Sequence, residues 1–287
     1  MDTEVGRLLD ALRGVQWPTR RPVHGGIVGT HHSRLRGAAP ELAEYRSYRQ
    51  GDEARRIDWR VLARTDRAYI RLAPDRATLR TAILVDASAS MAFPAPALDK
   101  WHTARLVAVG LASVAQGAGD PVGLVISGVE GVRIVAPSTR RGVVNTISRT
   151  LSRITPAGAP SVLDALRAVG GVLRVVLISD FLSETDSVLR WIRARAVGGG
   201  IVHAVHVVAR EEVEPPPTPI SAVDPEAPGV VRPFDERASA AYVRAFGSWR
   251  EDLARSMRSA GADYTPVVTG ESVAHAVRRI VSPSVVA

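Results

Sequence analysis

The chain has 287 residues, of which 46% are hydrophobic, enough for one large domain or two smaller ones with a packed core. It has no cysteine, which excludes a disulfide framework and a zinc–thiolate site, and its formal charge of +8 is compatible with acidic proteins, nucleic acid or anionic lipid as partners. The N-terminus lacks the pattern of a signal peptide and no apolar run approaches the roughly 20 residues that cross a bilayer, so we expect a cytoplasmic protein.

Residues 1–80 are predicted to form a small charged N-terminal module, and residues 81–287 a separate domain. The module begins with a short amphipathic helix that carries Leu8, Leu9 and Leu12 and ends at Trp17-Pro18. A basic arm follows, with no acidic residue between Asp10 and Glu41. Its arginines are Arg13, Arg20, Arg21, Arg34 and Arg36. Such an arm can contact phosphates, or it can be solvated or folded back on the protein.

After residue 80, strand-like and helix-like segments alternate. The predicted strands are Ala82 to Val85, Val122 to Ile126, Val132 to Val135, Val172 to Ile178, Ile201 to Val208 and Tyr264 to Val268. The predicted helices are Leu98 to Ala115, Val143 to Ile154, Leu163 to Val169, Val188 to Ala196, Ala238 to Met257 and Val273 to Ile280. This alternation predicts an α/β fold with a doubly wound, mostly parallel sheet. The short gap from Gly128 to Gly131 predicts a hairpin and hence one antiparallel edge strand, and the proline-rich segment from Pro215 to Pro228 predicts a surface excursion.

Polar side chains follow two of the predicted buried strands. Asp86, Ser88 and Ser90 come directly after the first strand, and Asp180 follows the strand that ends at Ile178. Ligands bind at the carboxyl ends of strands in open α/β sheets, so these groups are predicted to face one crevice. Carboxylate and hydroxyl oxygens favour Mg²⁺, or another hard dication such as Mn²⁺ or Ca²⁺. Ser161 is a further candidate ligand, and it is equally an ordinary helix N-cap.

Residues 81 to 282 resemble a von Willebrand factor A domain. The Asp86-x-Ser88-x-Ser90 motif resembles the first metal loop of that family, and Ile178-Ser179-Asp180 resembles the third. The family's second loop supplies a threonine, and counting back from Ala165-Leu166 places Pro160 at that position. Ser161 substitutes for it after a shift of one residue. The resemblance therefore implies a metal-ion-dependent adhesion site (MIDAS) in which metal binding is weak or incomplete.

The segment from Glu44 to Arg60, followed by Ala63-Arg64, resembles the bacterial family called domain of unknown function 58. In that family an Arg-x-Tyr-x-x-Gly-Asp-x-x-Arg-x-Ile-Asp-Trp signature precedes the A-type domain. The signature residues are predicted to be structural, with Arg56 and Asp58 in ion pairs and Trp59 in the core; they are Tyr48, Gly51, Asp52, Arg56, Asp58, Trp59 and Arg64. The resemblance implies a non-enzymatic bacterial accessory factor for a MoxR-type AAA+ ATPase, acting on unknown client proteins in their maturation or assembly.

Other functions fit the sequence less well. Asp86 could accept a phosphoryl group in a metal-dependent phosphotransfer enzyme, but those enzymes that use an Asp-x-Asp pair need a carboxylate where Ser88 stands. Ser88, His102 and Asp180 could form a hydrolase triad, but no Gly-x-Ser-x-Gly elbow surrounds a serine. No P-loop is present, so any ATPase is a separate subunit. Nucleic acid or an anionic surface remains an alternative partner of the basic arm, although no recognition motif accompanies it.

Overall fold

A computed structural model describes residues 3–18, 28–37, 44–49, 57–216, 220–223 and 231–282. The chain divides into two compact units, one of Met1–Trp17 with Arg80–Ala287 and one of Pro18–Leu79. The strands in chain order are β1 (Val28–Gly37), β2 (Glu44–Ser47), β3 (Tyr69–Ala77), β4 (Thr81–Asp86), β5 (Val122–Gly128), β6 (Gly131–Ser138), β7 (Arg174–Ser179), β8 (Ile201–Val208), β9 (Ile220–Val223), β10 (Val231–Phe234) and β11 (Asp263–Val268). The helices are α1 (Thr3–Ala11), α2 (Trp59–Thr65), α3 (Asp99–Gly117), α4 (Val143–Ser152), α5 (Val162–Ala168), α6 (Thr185–Val197), α7 (Arg210–Val213), α8 (Glu236–Ser259) and α9 (Val273–Val281).

The larger unit is built on a six-stranded sheet in the order β11-β8-β7-β4-β5-β6. All neighbouring strands are parallel except β5 and β6, which form a hairpin in which Gly128 faces Gly131. Every residue of β4 and β7 is buried, as expected for central parallel strands with both faces covered. The predicted fold class, a doubly wound sheet with one antiparallel edge strand, is therefore confirmed.

The side chains of β4 alternate between two apolar cores. Ile83 and Val85 belong to the core that contains residues of α3, α4 and α9. Ala82 and Leu84 belong to the core on the other face, which contains residues of α5, α6 and α8. Because both faces are covered, only the ends of the strands are available for polar groups. Within the residues described, no helix has the length and apolar character needed to span a bilayer.

The N-terminal helix α1 packs on the larger unit, against α3 and α9. A Cβ at Gly110 would lie 3.0 Å from Leu12 Cδ1, so the glycine in α3 provides the space into which the apolar stripe of α1 fits. Trp17 is buried as well, at 1% exposure. The predicted division at residue 80 therefore needs correction for the N-terminal helix and the turn after it, because Val5, Leu8, Leu12 and Trp17 are buried in the core of the α/β unit.

The smaller unit contains a three-stranded antiparallel sheet in the order β1-β3-β2. The Asp58 carboxylate caps α2 by accepting hydrogen bonds from the backbone N–H groups of Arg60 and Val61, at 3.0 and 3.2 Å, so its role is structural. The prediction that Trp59 fills the core is wrong, since its side chain lies at the start of α2 and is 61% exposed.

The remaining predictions for the N-terminal region are only partly covered by the structure. Gly51, Asp52 and Arg56 lie outside the described residues, as do Arg20 and Arg21 of the basic arm. The Tyr48 N–H donates to the Ala68 carbonyl at 2.8 Å, and Arg64 is exposed in the last turn of α2. In the proline-rich excursion, β9 and β10 form an antiparallel pair.

Candidate metal site at the carboxyl end of the sheet

The loop after β4 brings one carboxylate and two hydroxyls together. Asp86 is the last residue of β4, and its Oδ1 accepts a hydrogen bond of 2.9 Å from the Ser88 N–H, which fixes the turn of the loop. The hydroxyls of Ser88 and Ser90 lie 3.1 Å apart, and all three side chains are almost fully buried. Adjacent ligands of an octahedral Mg²⁺ ion, each about 2.1 Å from the metal, are about 3 Å apart. The spacing of the two hydroxyls therefore suits two neighbouring positions around such an ion.

Asp180 lies on the same edge of the sheet because β7 is the parallel neighbour of β4. Val85 is in register with Ile178, and the Ser179 hydroxyl next in the chain donates a hydrogen bond of 2.7 Å to Asp86 Oδ2. Asp180 follows directly and is 2% exposed. The structure thus brings Asp86, Ser88, Ser90 and Asp180 to one edge, and their role as metal ligands stays a prediction.

The pKa of Asp86 reflects its burial and the nearby charge of Asp180. Burial and then the negative charge of Asp180 raise the pKa of Asp86 from 3.8 to about 6, against the opposing effect of its hydrogen bonds from Ser179 and Ser88. Ionised Asp86 is therefore disfavoured in the folded protein, and a cation bound beside it would relieve that penalty.

Lys100, in the first turn of α3, is part of the site and was not predicted from the sequence. Its Nζ donates to Asp180 Oδ2 at 2.7 Å and to Glu212 Oε1 at 2.9 Å, and its side chain is completely buried. Glu212 is itself held in place, because its Oε2 accepts a hydrogen bond of 2.7 Å from the Ala209 N–H. Burial alone lowers the pKa of Lys100, but the charges of Asp180 and Glu212 outweigh burial and raise it above its ordinary value. The ammonium is therefore charged at neutral pH.

Lys100 has one distinguishing feature in the sequence. It is the only lysine among 37 basic residues of the chain, although any arginine would have kept the charge. The compact ammonium of lysine can donate to both carboxylates. The planar guanidinium of arginine has five N–H donors, and some of them would lack an acceptor at this buried position.

Ser161, the further predicted ligand, is the N-cap of α5. Its Oγ accepts a hydrogen bond from the Asp164 N–H at 3.2 Å and donates to Glu184, whose carboxylate oxygens lie 3.0 and 3.2 Å away. The second oxygen of Glu184 also accepts from the Leu163 N–H at 3.1 Å. The N-cap interpretation of Ser161 is thus confirmed. Its hydroxyl donates to Glu184 and accepts from Asp164, and Glu184 is a second acidic residue, besides Glu212, that the sequence did not indicate.

The loop before Ser161 nevertheless lies against the loop after β4. The Ala89 N–H donates to the Gly158 carbonyl at 2.8 Å, and the Ala157 N–H donates to the Ala87 carbonyl at 3.0 Å. Backbone strain is concentrated in the loops around this edge, since of the four described non-glycine residues with positive φ, three precede α3 or follow β7: Leu98, Phe181 and Glu184. Strain of this kind is common at binding sites, where the surrounding structure holds it in place.

Exposed apolar side chains lie next to the polar groups. Phe93 follows the loop that carries Ser90 and is 39% exposed, and Leu182 is two residues beyond Asp180 and 51% exposed. Val129, at the tip of the β5–β6 hairpin, is 65% exposed, and its Cγ2 would lie 3.1 Å from a Cβ at Gly158. We call Phe93, Val129 and Leu182 the apolar rim.

Two other sets of reactive side chains do not form a site. His102 Nε2 is paired with Glu4 at 3.1 Å on the surface, while Asp180 is bound to Lys100, so Ser88, His102 and Asp180 do not form a triad. His203 and His206 have separate surroundings: His203 packs on Trp17, and His206 Nδ1 lies 2.6 Å from the Tyr264 hydroxyl. Within the described ranges, no group of three or more His, Cys, Asp and Glu side chains could hold a metal ion. Any metal at the candidate site would therefore depend on hydroxyl ligands.

The chain is similar to known proteins both in sequence and in fold. A family model described as protein of unknown function DUF58 matches residues 44–250. Uncharacterized proteins of Mycobacterium bovis and Mycobacterium tuberculosis are each 30% identical over 270 residues, covering 91% of this chain and 84% of the relative. Among solved structures, the hypothetical protein BatB from Bacteroides thetaiotaomicron is similar with a TM-score of 0.47 and 16% identity over 71% of this chain and 97% of that chain. The SpRpn10 VWA domain is similar with a TM-score of 0.41 and 13% identity over 73% of this chain and 100% of that chain.

Proposed function

We propose that this chain, which belongs to the family described as protein of unknown function DUF58, is a non-enzymatic protein-interaction factor that docks a partner through a divalent cation at the carboxyl end of its sheet. The cation is Mg²⁺, or Mn²⁺ or Ca²⁺ in its place. Asp86, Ser88, Ser90 and Asp180 would hold it, directly or through water. The partner class that we propose from the family resemblance is a MoxR-type AAA+ ATPase, which works with this protein in the maturation or assembly of other proteins.

The observation that carries the proposal is the pair of buried hydroxyls 3.1 Å apart beside an uncompensated set of buried charges. Asp86, Asp180 and Glu212 carry three carboxylates, and the Lys100 ammonium is bonded to two of them, Asp180 and Glu212. Buried charge without a counter-charge is unfavourable, so the folded protein favours an additional cation here. When bound, a divalent ion held by so few protein groups supplies coordination positions that an acidic side chain of a partner can fill.

The apolar rim supports docking of a protein at this edge. Phe93, Val129 and Leu182 are exposed on loops at this edge of the sheet, and exposed apolar side chains that lie together mark surfaces that a partner can cover. A partner that fits this surface presents a carboxylate surrounded by apolar side chains. The carboxylate would meet the cation, and the apolar side chains would cover the rim.

Metal binding can be tested directly with Mn²⁺, whose free concentration is measured by electron paramagnetic resonance. The wild-type chain should bind one Mn²⁺, and Ser88→Ala combined with Ser90→Ala should abolish binding. Ser152→Ala is the matched control, because the exposed Ser152 hydroxyl donates only to the Arg149 carbonyl in its own helix. Absence of Mn²⁺ binding by the wild type, or equal binding by the double variant, would refute the metal site.

Partner binding is tested by capture from the native cell with the full chain as bait. The wild type should retain a MoxR-type ATPase in Mg²⁺ and lose it in EDTA, and Asp86→Ala should fail to retain it in either buffer. Because Asp86→Ala removes a carboxylate that burial and Asp180 disfavour, the variant should remain folded. Capture of the same ATPase by the variant, or by the wild type in EDTA, contradicts metal-dependent docking.

A further inference from the structure

We infer that Lys100 is a built-in counter-ion that sets the cation affinity of the candidate metal site, because its buried ammonium bonds Asp180 at 2.7 Å and Glu212 at 2.9 Å within that site. This inference rests on the proposed function and deepens it. Lys100 is a positioning residue: it does not contact the cation, and it acts through the carboxylate of Asp180.

Both carboxylate oxygens of Asp180 already accept hydrogen bonds. Oδ2 accepts from the Lys100 ammonium, and Oδ1 accepts a hydrogen bond of 3.3 Å from the Leu182 N–H. A metal that takes Asp180 as a direct ligand has to compete with a charge-assisted hydrogen bond in a buried setting, where such bonds are strong. Lys100 thus holds Asp180 in place and weakens it as a ligand.

The charges of Asp86, Asp180, Glu212 and Lys100 do not cancel. The carboxylates of Asp86, Asp180 and Glu212, together with the single ammonium of Lys100, leave a surplus of two negative charges when all are ionised. A divalent cation matches this surplus. Without Lys100 the surplus would be three, and free divalent ions would bind more tightly. Without the charge of Glu212 the surplus would be one, and the Lys100 ammonium would be shared by Asp180 alone.

Glu212 makes one contact with the backbone and one with Lys100. Its Oε2 caps the end of β8 through the Ala209 N–H, and its Oε1 reaches Lys100. Glu212 is therefore held by the backbone while it binds the Lys100 ammonium as a second carboxylate. The two substitutions Lys100→Met and Glu212→Gln change the charge of one buried cluster in opposite directions, so the inference predicts effects of opposite sign.

The test measures Mn²⁺ affinity of the full chain by electron paramagnetic resonance for the wild type, Lys100→Met and Glu212→Gln. We expect Lys100→Met to bind Mn²⁺ about tenfold more tightly or better, because a unit charge a few ångströms away acts strongly at a buried site. Glu212→Gln should bind several-fold more weakly. Arg190→Met is the matched control: it also removes one positive charge, but Arg190 is exposed and bonds Ser187, so its affinity should equal that of the wild type.

Thermal unfolding provides a second readout. Lys100→Met leaves Asp180 and Glu212 close together without a cation, so its melting temperature in EDTA should fall, and Mn²⁺ should raise it by more than it raises that of the wild type. A residue with only a structural role would lower the melting temperature without changing the response to Mn²⁺.

The outcomes separate this inference from the proposed function. If the wild type binds Mn²⁺ and loses it in the Ser88 and Ser90 double variant, while Lys100→Met binds no more tightly, the metal site stands and the inference is overturned. If Lys100→Met alone binds, the inference holds and the proposed function fails. If neither binds, both fail. Should Lys100→Met not fold even with Mn²⁺, Glu212→Gln decides, since affinity equal to or above the wild type overturns the inference.

Discussion

Strand β7 has a buried ionic cluster at each end, and the two clusters differ in their balance of charge. At its start, Arg174 is paired with Asp120 at 3.1 Å, one cation to one anion, with the guanidinium 4.2 Å from the centre of the Trp17 ring. At its other end, Asp180 shares one ammonium with Glu212 and faces Asp86. Both clusters are buried except for Glu212, whose side chain is 13% exposed. The charge of Arg174 is matched within the protein by Asp120, whereas the unbalanced cluster leaves a charge for something else to satisfy.

The difference also explains where the strain lies. Arg174 is held by Asp120 and by the Trp17 carbonyl at 3.2 Å, and it lies in a regular strand. Burial lowers the pKa of Arg174 to about 10, which still leaves it charged at neutral pH. Around Asp180, by contrast, Phe181 and Glu184 adopt positive φ. A site that serves stability alone has no need of such backbone conformations, and a binding site often has them.

The largest effect is expected at the balanced end. Asp120→Asn removes the charge partner of buried Arg174 and should lower the free energy of unfolding by about 3–5 kcal/mol, since an uncompensated charge remains buried. Urea denaturation measures the change, and Mg²⁺ should not restore the loss. The matched control is Asp164→Asn, which breaks an exposed Arg–Asp pair with Arg167 and should change stability by less than about 1 kcal/mol. Equal losses in the two variants would show that the buried pair is not stabilising.

The same substitution at the unbalanced end should have the opposite sign. The pKa of Asp86 is raised from 3.8 to about 6, so the folded state keeps a proton that the unfolded state loses, and stability falls as pH rises from about 4 to about 6. Asp86→Asn removes this penalty. In EDTA above pH 6 it should stabilise the protein by about 3 kcal/mol at most, and below about pH 4 by nothing.

Urea denaturation across this pH range tests the Asp86→Asn prediction, with Asp99→Asn as the control carboxylate at the start of α3. In Mg²⁺ the advantage of the variant should shrink, because a bound cation stabilises only the wild type. A destabilised Asp86→Asn variant in EDTA at pH 7 contradicts the view that this end carries surplus charge.

A smaller, pH-dependent effect comes from buried His203, which packs on Trp17 near the start of β7. Burial, and then the charge of Arg174, lower the pKa of His203 from 6.5 to about 3. The folded state therefore keeps His203 neutral while the unfolded state binds a proton, and stability falls as pH drops below about 6.5. Between pH 7 and pH 5 this should amount to about 2 kcal/mol, and His203→Gln should remove it. The slope of unfolding free energy against pH measures it, and an unchanged slope in the variant is the contrary result.

Much of this architecture could be predicted from the sequence. The six strands of the large sheet follow from their buried apolar runs, and Asp86 and Asp180 were placed together because parallel strands end at the same edge. The roles of Lys100 and Glu212 do not follow from the sequence, because their contacts join residues 80 and 112 positions apart. The helical pattern from Leu98 to Ala115 predicts the helix that carries Lys100 but not the partners of its side chain. Trp59 was assigned to the core from its residue type alone, whereas its position at the exposed start of α2 decides its burial.

The smallest effect on stability, with a clear effect on binding, is expected at the apolar rim. Leu182 is 51% exposed and its backbone N–H bonds Asp180, so Leu182→Ser should change the free energy of unfolding by less than about 0.5 kcal/mol. If a partner covers the rim around the unbalanced cluster, loss of this apolar contact should weaken capture of the ATPase about tenfold while leaving the affinity for Mn²⁺ unchanged. Val197→Ser, at a residue 90% exposed at the end of α6, is the matched control and should leave capture unchanged. Capture of the ATPase by Leu182→Ser as strongly as by Val197→Ser would show that the partner does not contact Leu182, and the apolar rim around the unbalanced cluster would then not be part of the docking surface.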